Sequence, residues 1–216
     1  MSHLVRQEIP RKWPVERKGS VYVVRPQFQI QEGMPILVVL RDVMGLAQNR
    51  REVKRIIHNN QIILNGKIAN DEKQNILLFD TLNIVPLKKC YKLILNEKGK
   101  FEFEEIAESK SDKKIAKVIG KKILKGKKIQ VNLSDGRNFL SDTDYKTNDS
   151  VVINLKTGKA EKILPLKEGV NVAVFSGKHV GKTGKILSLD YEKKMAKIKY
   201  QEQEINILIN QLMVVE

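Results

Sequence analysis

Cysteine, histidine and long apolar runs are all scarce in this sequence. Its 216 residues include one cysteine, Cys90, which excludes an internal disulfide and any metal site built from several cysteines. The histidines, His3, His58 and His179, are too widely separated to suggest a metal-ligand set. No apolar run approaches the roughly 18 residues of a membrane-spanning helix, and no signal peptide opens the chain. We therefore expect a cytoplasmic protein with no cofactor, no metal and no membrane partner.

Acidic residues are outnumbered by basic ones. Forty Lys and Arg against 25 Asp and Glu give a formal net charge of +15. A surplus of this size indicates a polyanionic partner, and nucleic acid is the commonest one. No Ser/His/Asp set, paired-carboxylate pocket or activated cysteine can be assembled from the sequence. We therefore expect an RNA-binding protein that is not an enzyme and has no small-molecule substrate.

The glycine- and lysine-rich stretch from Ser176 to Lys185 decides between two functions. A nucleotide-binding loop needs four residues between its two glycines and a helix after them. Here only three residues separate Gly177 from Gly181, and the flanking apolar residues alternate with a period of two. The sequence therefore predicts a strand, a turn and a second strand, with glycines that allow close approach of a partner. The predicted RNA-binding residues of this turn are Lys178, His179, Lys182 and Lys185.

The segment from Gly169 to Ile186 resembles a KOW motif, a small barrel segment of ribosomal proteins and transcription elongation factors. The resemblance implies RNA contact without specifying the RNA. We expect residues 166–216 to form an SH3-like KOW barrel.

Residues 1–33 lack a sustained apolar period and are predicted to be a basic N-terminal arm. Cations mixed with an aromatic ring, in a segment that cannot bury itself, suit ordering against RNA. Trp13 could either stack on a base or fill a crevice. The predicted RNA-binding residues of the arm are Arg11, Lys12, Trp13, Arg17, Lys18 and Arg25.

Two short helices are predicted after the arm. Pro35 stands where the first would begin and Gly45 where it would end. Asn49 can cap the second, with Glu52 as the return partner. Basic residues in a first turn match the helix dipole poorly, and a bound phosphate would resolve the conflict. The cations concerned are Arg50, Arg51, Lys54 and Arg55.

Asn65-Gly66 follows these helices and is a strong signal for a two-residue hairpin. Two helices and a β-turn with basic residues resemble the αL RNA-binding module of bacterial protein S-four, pseudouridine synthases and a tyrosyl-tRNA synthetase tail. We assign the module to residues 34–86. By this resemblance, RNA contacts fall on Gln48, Asn49, Arg50, Arg51 and Lys67.

The middle region, residues 87–165, is predicted to be a β-rich domain that begins after a linker at Pro86–Lys89. Strands are expected at Ile129–Leu133, Val151–Leu155 and Ala160–Leu164. Residues 110–128 contain nine lysines and one acidic residue. The spacing of apolar residues in that run predicts a short helix over Lys113–Ile119 with a basic outer face. Lys121 and Lys122 are the RNA-binding candidates of this region.

The order of these elements resembles the small-ribosomal-subunit protein family S-four-e of archaea and eukaryotes, along nearly the whole chain. The length favours an archaeal source. The resemblance implies an α+β, mostly β protein that binds small-subunit rRNA and neighbouring ribosomal proteins in the cytoplasmic ribosome. Two departures are Ala69, where the family often has a cation, and Gln27–Gln29, where Gly-Pro-His is expected. An RNA-modifying enzyme subunit and a KOW-containing elongation factor remain the alternatives.

Overall fold

Contacts between residues divide the chain into two compact units. The computed structural model describes residues 3–125, 128–141, 145–201 and 203–215. Unit 1 comprises Met1–Leu95 and Lys100–Asp112, and unit 2 comprises Asn96–Gly99 and Lys113–Glu216. Both are built from antiparallel sheets, so the predicted α+β, mostly β class is confirmed. Within the described ranges, no helix has the length and apolar character needed to cross a membrane.

Unit 1 contains one five-stranded sheet and two strand pairs. The sheet order is β5-β4-β7-β8-β9, and the pairs are β1-β2 and β3-β6. The strands are β1 (His3–Val5), β2 (Tyr22–Val24), β3 (Gly33–Pro35), β4 (Ile62–Leu64), β5 (Lys67–Ile68), β6 (Asn75–Leu77), β7 (Thr81–Ile84), β8 (Lys89–Leu95) and β9 (Phe101–Ile106). Single 3-10 turns lie at Arg6–Glu8, Val85–Leu87 and Glu108–Lys110.

The two predicted helices are present. Helix α1 (Ile36–Val38) continues as a π-helical turn over Val39–Val43. It ends before Gly45, whose φ of +64° is the left-handed conformation that favours glycine. Helix α2 spans Arg50–His58. The hairpin at Asn65-Gly66 is also confirmed, because both residues have positive φ, as a type I′ turn requires.

The N-terminal segment is folded, which corrects the expectation that it cannot bury itself. Trp13 is only 2% exposed, and its indole Nε1 donates to the carbonyl of Gly33 at 3.0 Å. Val23 on β2 joins the same core cluster. Trp13 therefore fills a crevice, and its ring is not available to stack on a base. The sequence did not indicate this burial, because the segment contributes single buried residues such as Trp13 and Val23 to the core and has no periodic pattern of apolar residues.

The predicted linker at Pro86–Lys89 is wrong. Strand β7 pairs directly with β8, with Thr81 opposite Lys92 and Ile84 opposite Lys89. Residues 85–88 are a tight turn in which Lys88 adopts φ +51°. The large sheet of unit 1 therefore continues through the predicted boundary at 86/87. The division into four domains stays a prediction.

Unit 2 contains two five-stranded sheets, ordered β12-β11-β10-β13-β14 and β18-β17-β16-β15-β19. The strands are β10 (Lys113–Ile123), β11 (Ile129–Leu133), β12 (Asn138–Ser141), β13 (Ser150–Asn154), β14 (Ala160–Leu164), β15 (Asn171–Val174), β16 (Thr183–Asp190), β17 (Met195–Tyr200), β18 (Gln203–Leu208) and β19 (Leu212–Val214). A 3-10 turn at Ile209–Gln211 separates β18 from β19. The strands predicted near 129, 151 and 160 are confirmed.

The helix predicted over Lys113–Ile119 is wrong, because these residues begin the long strand β10. Ala116 and Val118 enter one apolar cluster with β11 and β13, while Ile115 packs on the cluster formed by β15–β19. Where a strand is covered on both faces, as at residues 114–118, apolar residues do not alternate strictly with polar ones. Their spacing can then match that of a helix. A bulge between Val118 and Gly120 adds a further irregularity.

Two lysines of β10 are buried. Lys114 pairs with the carboxylate of Asp135 at 2.9 Å. Lys117 is 4% exposed, and its Nζ donates to the carbonyls of Ile209 at 2.7 Å and Leu212 at 2.8 Å. Burial lowers the pKa of Lys117 from 10.5 to about 8. Lys117 thereby ties β10 to the start of β19.

Lys117 should make the stability of the chain rise with pH in the alkaline range. The folded protein releases this proton near pH 8 and the unfolded chain near pH 10.5, so between them the unfolded state binds more protons. Raising the pH through that window should stabilise the wild type relative to Lys117→Met, by at most about 3 kcal/mol. At pH 7 the substitution should cost about 1–3 kcal/mol, because two buried carbonyls lose their donor.

Urea unfolding of wild type, Lys117→Met and Lys122→Met between pH 7 and 10.5 provides the measurement. Lys122 lies exposed on the same strand and is the matched control. A difference between wild type and Lys117→Met that did not change with pH would contradict the assignment.

Candidate nucleic-acid interface

The glycine-rich segment forms a turn between β15 and β16, and no helix follows it. The predicted strand-turn-strand arrangement is confirmed, and the phosphate-loop interpretation is wrong. Gly177 and Gly181 have φ of +90° and +87°. The turn is closed by backbone bonds from the N–H of Gly181 to the Val174 carbonyl at 2.9 Å and from Val174 to the Lys182 carbonyl at 2.9 Å.

The glycines of this segment are in close contact with other parts of the protein itself. A Cβ at Gly177 would collide with the side-chain amide of Gln211. At Gly181 it would meet the carbonyl oxygen of Asn96, which belongs to the same unit, and at Gly184 it would meet the Lys199 carbonyl. Sequence reasoning attributed these glycines to close approach of a partner. Their tight contacts in the structure are internal.

The cations of the turn differ in how they are held. Lys178 and Lys185 are exposed, whereas His179 and Lys182 are half-buried. The Lys182 ammonium lies over the ring of Tyr200, 4.7 Å from its centre, in a cation–π contact. Lys182 is therefore oriented before any ligand arrives.

The pairing of β16 with β17 places Lys199, which sequence reasoning missed, beside the predicted RNA-binding residue Lys185. Lys185 on β16 lies directly opposite Lys199 on β17, and both are exposed. Like charges in this position repel each other, and an anion between them would relieve the repulsion. Only the register of β16 and β17 reveals the pair, because a bulge between Ile186 and Ser188 shifts the alternation.

The start of α2 is capped by its own side chains. The Asn49 carboxamide oxygen accepts from the Glu52 N–H at 3.0 Å, and Glu52 accepts from the Gln48 N–H at 2.7 Å. The predicted cap is confirmed: Glu52 also accepts from the Asn49 carboxamide N–H at 2.7 Å, although its bond to a backbone N–H goes to Gln48. The Glu52 carboxylate also offsets the poor match between the basic first turn and the helix dipole. A phosphate is therefore not needed to form this helix start.

Arg50 is held by a buried carboxylate. Its guanidinium Nε lies 2.9 Å from Oε1 and 3.0 Å from Oε2 of Glu72, and its Nη2 also donates to that carboxylate. Glu72 is 5% exposed, and hydrogen bonding to it raises the pKa of Arg50 above its usual range. Lys54 Nζ lies 4.0 Å from the same carboxylate. Arg51 is exposed and has no side-chain partner among the described residues.

A groove with a volume of about 730 Å³ runs between α2 and the loop before β6. It brings together three predicted residues, Arg50, Lys54 and Arg55. Sequence reasoning missed Lys73 and His58, which line the same groove. The loop and helix are adjacent only in the fold, so no local motif could have joined them. The full lining is Arg50, Lys54, Arg55, Ile57, His58, Asn59, Asn70, Asp71, Glu72 and Lys73.

The other predicted residues are not gathered at one point. Gln48, Asn49 and Lys67 are exposed near the ends of α2 and β5. Lys121 and Lys122 are exposed on β10, where neighbouring residues of a strand point to opposite faces. Arg11, Arg17 and Lys18 are exposed, whereas Lys12 and Arg25 are half-buried. Burial lowers the pKa of Lys12, and nearby Glu32 opposes that effect.

Within the described residues, no group of three His, Cys, Asp or Glu could hold a metal ion.

Known proteins similar to this chain are ribosomal by name. Residues 87–160 match the sequence pattern of ribosomal family S4e. Small ribosomal subunit protein eS4 of Methanocella arvoryzae is 36% identical over 188 residues, which are 86% of this chain and 80% of that protein. The eS4 protein of Nanoarchaeum equitans is 37% identical over 85% of this chain and 80% of its own length. The crystal structure of 30S ribosomal protein S4e from Thermoplasma acidophilum superposes with a TM-score of 0.74 at 23% identity, covering 86% of this chain and 95% of that one.

These relatives define the class as ribosomal proteins of the small subunit. The chain belongs to the eS4 family, the S-four-e family predicted from the order of its sequence elements.

The two arginines at the start of α2 should behave differently when replaced. Arg50→Ala should destabilise the fold by about 1–3 kcal/mol, because among the described residues it leaves the buried Glu72 carboxylate with Lys54 alone, whose Nζ lies 4.0 Å away. Arg51→Ala should leave stability within about 0.5 kcal/mol of wild type. Urea unfolding measures both. Adding Glu72→Gln to Arg50→Ala should recover part of the loss, and no recovery would show that the pair does not support unit 1.

Proposed function

We propose that this chain is a structural constituent of the small ribosomal subunit that binds rRNA mainly through phosphate contacts. The observation that carries the proposal is membership of the eS4 family together with a net charge of +15. Proteins that neutralise phosphates release condensed counterions and gain sequence-independent affinity. Neighbouring ribosomal proteins in the cytoplasmic ribosome are the other expected partners.

Three groups of cations support this mode of binding. The first is the β15–β16 turn with Lys178, Lys182 and Lys185, joined by Lys199. The second is the start of α2 and its groove. The third comprises exposed arginines and lysines of the N-terminal segment. Several weak contacts on one chain reinforce one another through effective concentration, so no single site needs high affinity.

Two of the predicted segments keep their proposed roles within this scheme. We propose that residues 34–86 act as an αL-type RNA-binding module and residues 166–216 as a KOW barrel. The exposed lysines of the β15–β16 turn support the second assignment. The basic groove beside α2 supports the first.

A sucrose gradient of native lysate tests the proposal directly. The protein should occur stoichiometrically in the small subunit and remain there after a high-salt wash. Sedimentation at the top of the gradient would contradict it. Co-purification with RNA polymerase would then favour an elongation factor, and activity on free RNA a modifying enzyme.

Replacing lysines of the turn should weaken RNA binding through electrostatics alone. Lys178→Ala combined with Lys185→Ala should lower affinity for rRNA fragments and flatten the plot of log affinity against log salt. The expected flattening is about 0.9 per lost phosphate contact on duplex and about 0.7 on single strands. Fluorescence anisotropy over a series of salt concentrations provides the measurement.

Lys89→Ala is the matched control for this experiment. Lys89 is also an exposed lysine, but its Nζ is paired with Glu105 at 2.9 Å. Its loss should leave the salt slope unchanged. An unchanged slope in the Lys178 and Lys185 variant would show that the turn does not touch phosphate.

A further inference from the structure

A second groove lies at the other end of β16 from the glycine turn. The turn Tyr191–Lys194 joins β16 to β17, eight residues along from Thr183. At about 3.3 Å per residue, the two ends of β16 are about 25 Å apart. The groove is therefore separate from the cations of the β15–β16 turn. Its volume is about 430 Å³, and its lining is Asn148, Tyr191, Lys194, Leu208, Ile209 and Asn210.

Tyr191 presents an exposed aromatic ring to this groove. Its side chain is 66% exposed. Within the described ranges, it makes no ring contact and its hydroxyl has no hydrogen bond. Tyr200, on the same sheet, is by contrast half-buried beneath Lys182. A large exposed ring beside the apolar side chains of Leu208 and Ile209 offers a surface on which a flat group can stack.

Two carboxamides line the groove. The side chains of Asn148 and Asn210 bond to no described residue. A carboxamide offers both donors and an acceptor, which is the mixture that the edge of a nucleobase presents. Asn148 is fixed in a left-handed conformation with φ +75°, and its N–H donates to the Val118 carbonyl at 2.9 Å.

The groove is held in place by main-chain bonds. The N–H of Ile209 donates to the Lys194 carbonyl at 3.0 Å, and Leu208 pairs with Met195 in the register of β17 and β18. The turn is closed by the N–H of Lys193, which donates to the Asp190 carboxylate at 3.0 Å. A preformed groove loses little conformational freedom when a ligand binds.

We propose that this surface, the Tyr191 groove, binds one unpaired RNA base. Tyr191 stacks on the base, Asn148 and Asn210 bond its edge, and Lys194 lies beside the adjoining phosphate. This proposal rests on the proposed rRNA function and adds a single-stranded segment to its ligands. A base is favoured over a protein side chain because one ring, two carboxamides and a cation match the parts of a nucleotide. Bases in a duplex are already stacked and cannot enter.

The test compares single-stranded and duplex RNA of the same sequence. A fluorescein-labelled 12-nucleotide strand and its duplex would be titrated with the full chain at several salt concentrations. Tyr191→Ala should weaken single-strand binding about 5-fold to 150-fold, the effect of losing one base stack. Its salt slope and its affinity for duplex should match wild type, because no phosphate contact is lost.

Two further variants define the role of each group. Tyr191→Phe keeps the ring and is the matched control, so its affinity should equal that of wild type. Asn210→Ala should weaken single-strand binding without changing the salt slope. Thermal unfolding should be unchanged in each variant, because Tyr191 and Asn210 are exposed.

Three results would overturn the groove assignment. They are unchanged single-strand affinity in Tyr191→Ala, equal losses on single strand and duplex, and binding of the wild type to duplex only. Unchanged RNA affinity together with reduced retention in small subunits would assign the groove to a protein contact instead. A wild type that bound neither RNA would overturn the proposed function as well.

Discussion

Burial of residues 114–118 of β10 on both faces of the strand is the constraint on which unit 2 depends. One face of this strand completes an apolar cluster with β11 and β13, and the other packs on the β15–β19 sheet. Strand β10 therefore belongs to one sheet and packs against the other. The cost is that Lys114 and Lys117 enter the interior, since this part of the strand has no solvent side. The lysines farther along β10, Lys121 and Lys122, are exposed.

The two buried lysines are compensated in different ways. Lys114 meets a carboxylate, Asp135, so the charge is paired. Among the described residues, the Lys117 ammonium meets main-chain carbonyls and the ring of Phe175 at 5.6 Å. Carbonyls can accept from a neutral amine as well as from an ammonium, and this is why burial depresses the pKa of Lys117 without breaking its bonds. Lys114 and Lys117 are thus bonded inside the protein, and the exposed lysines and arginines are the ones that can contact a polyanion.

The sequence predicted elements whose signals are local. Asn49 with Glu52 marked the start of α2, and Asn65-Gly66 marked a hairpin. The spacing of Gly177 and Gly181, one residue shorter than the motif needs, excluded a phosphate loop. Those signals depend on neighbours within a few residues. The failures at the N-terminal segment, at the 85–88 turn and at β10 all involve partners distant in the sequence, such as Gly33 for Trp13. The same reason explains why the pairing of Lys185 with Lys199 and the groove beside α2 appeared only in the fold.

Arg50 shows how a residue can serve both the fold and a ligand. Its Nε and Nη2 bond the Glu72 carboxylate, while the Nη1 edge bonds to no described residue. A guanidinium has five donors in a rigid plane, so one edge can be fixed by a buried acid while another faces solvent. Fixing the plane removes most of the rotamer freedom that a phosphate contact would otherwise have to restrict. Glu72 therefore does not remove Arg50 from the basic surface of unit 1; it determines the direction in which that residue can bind an anion.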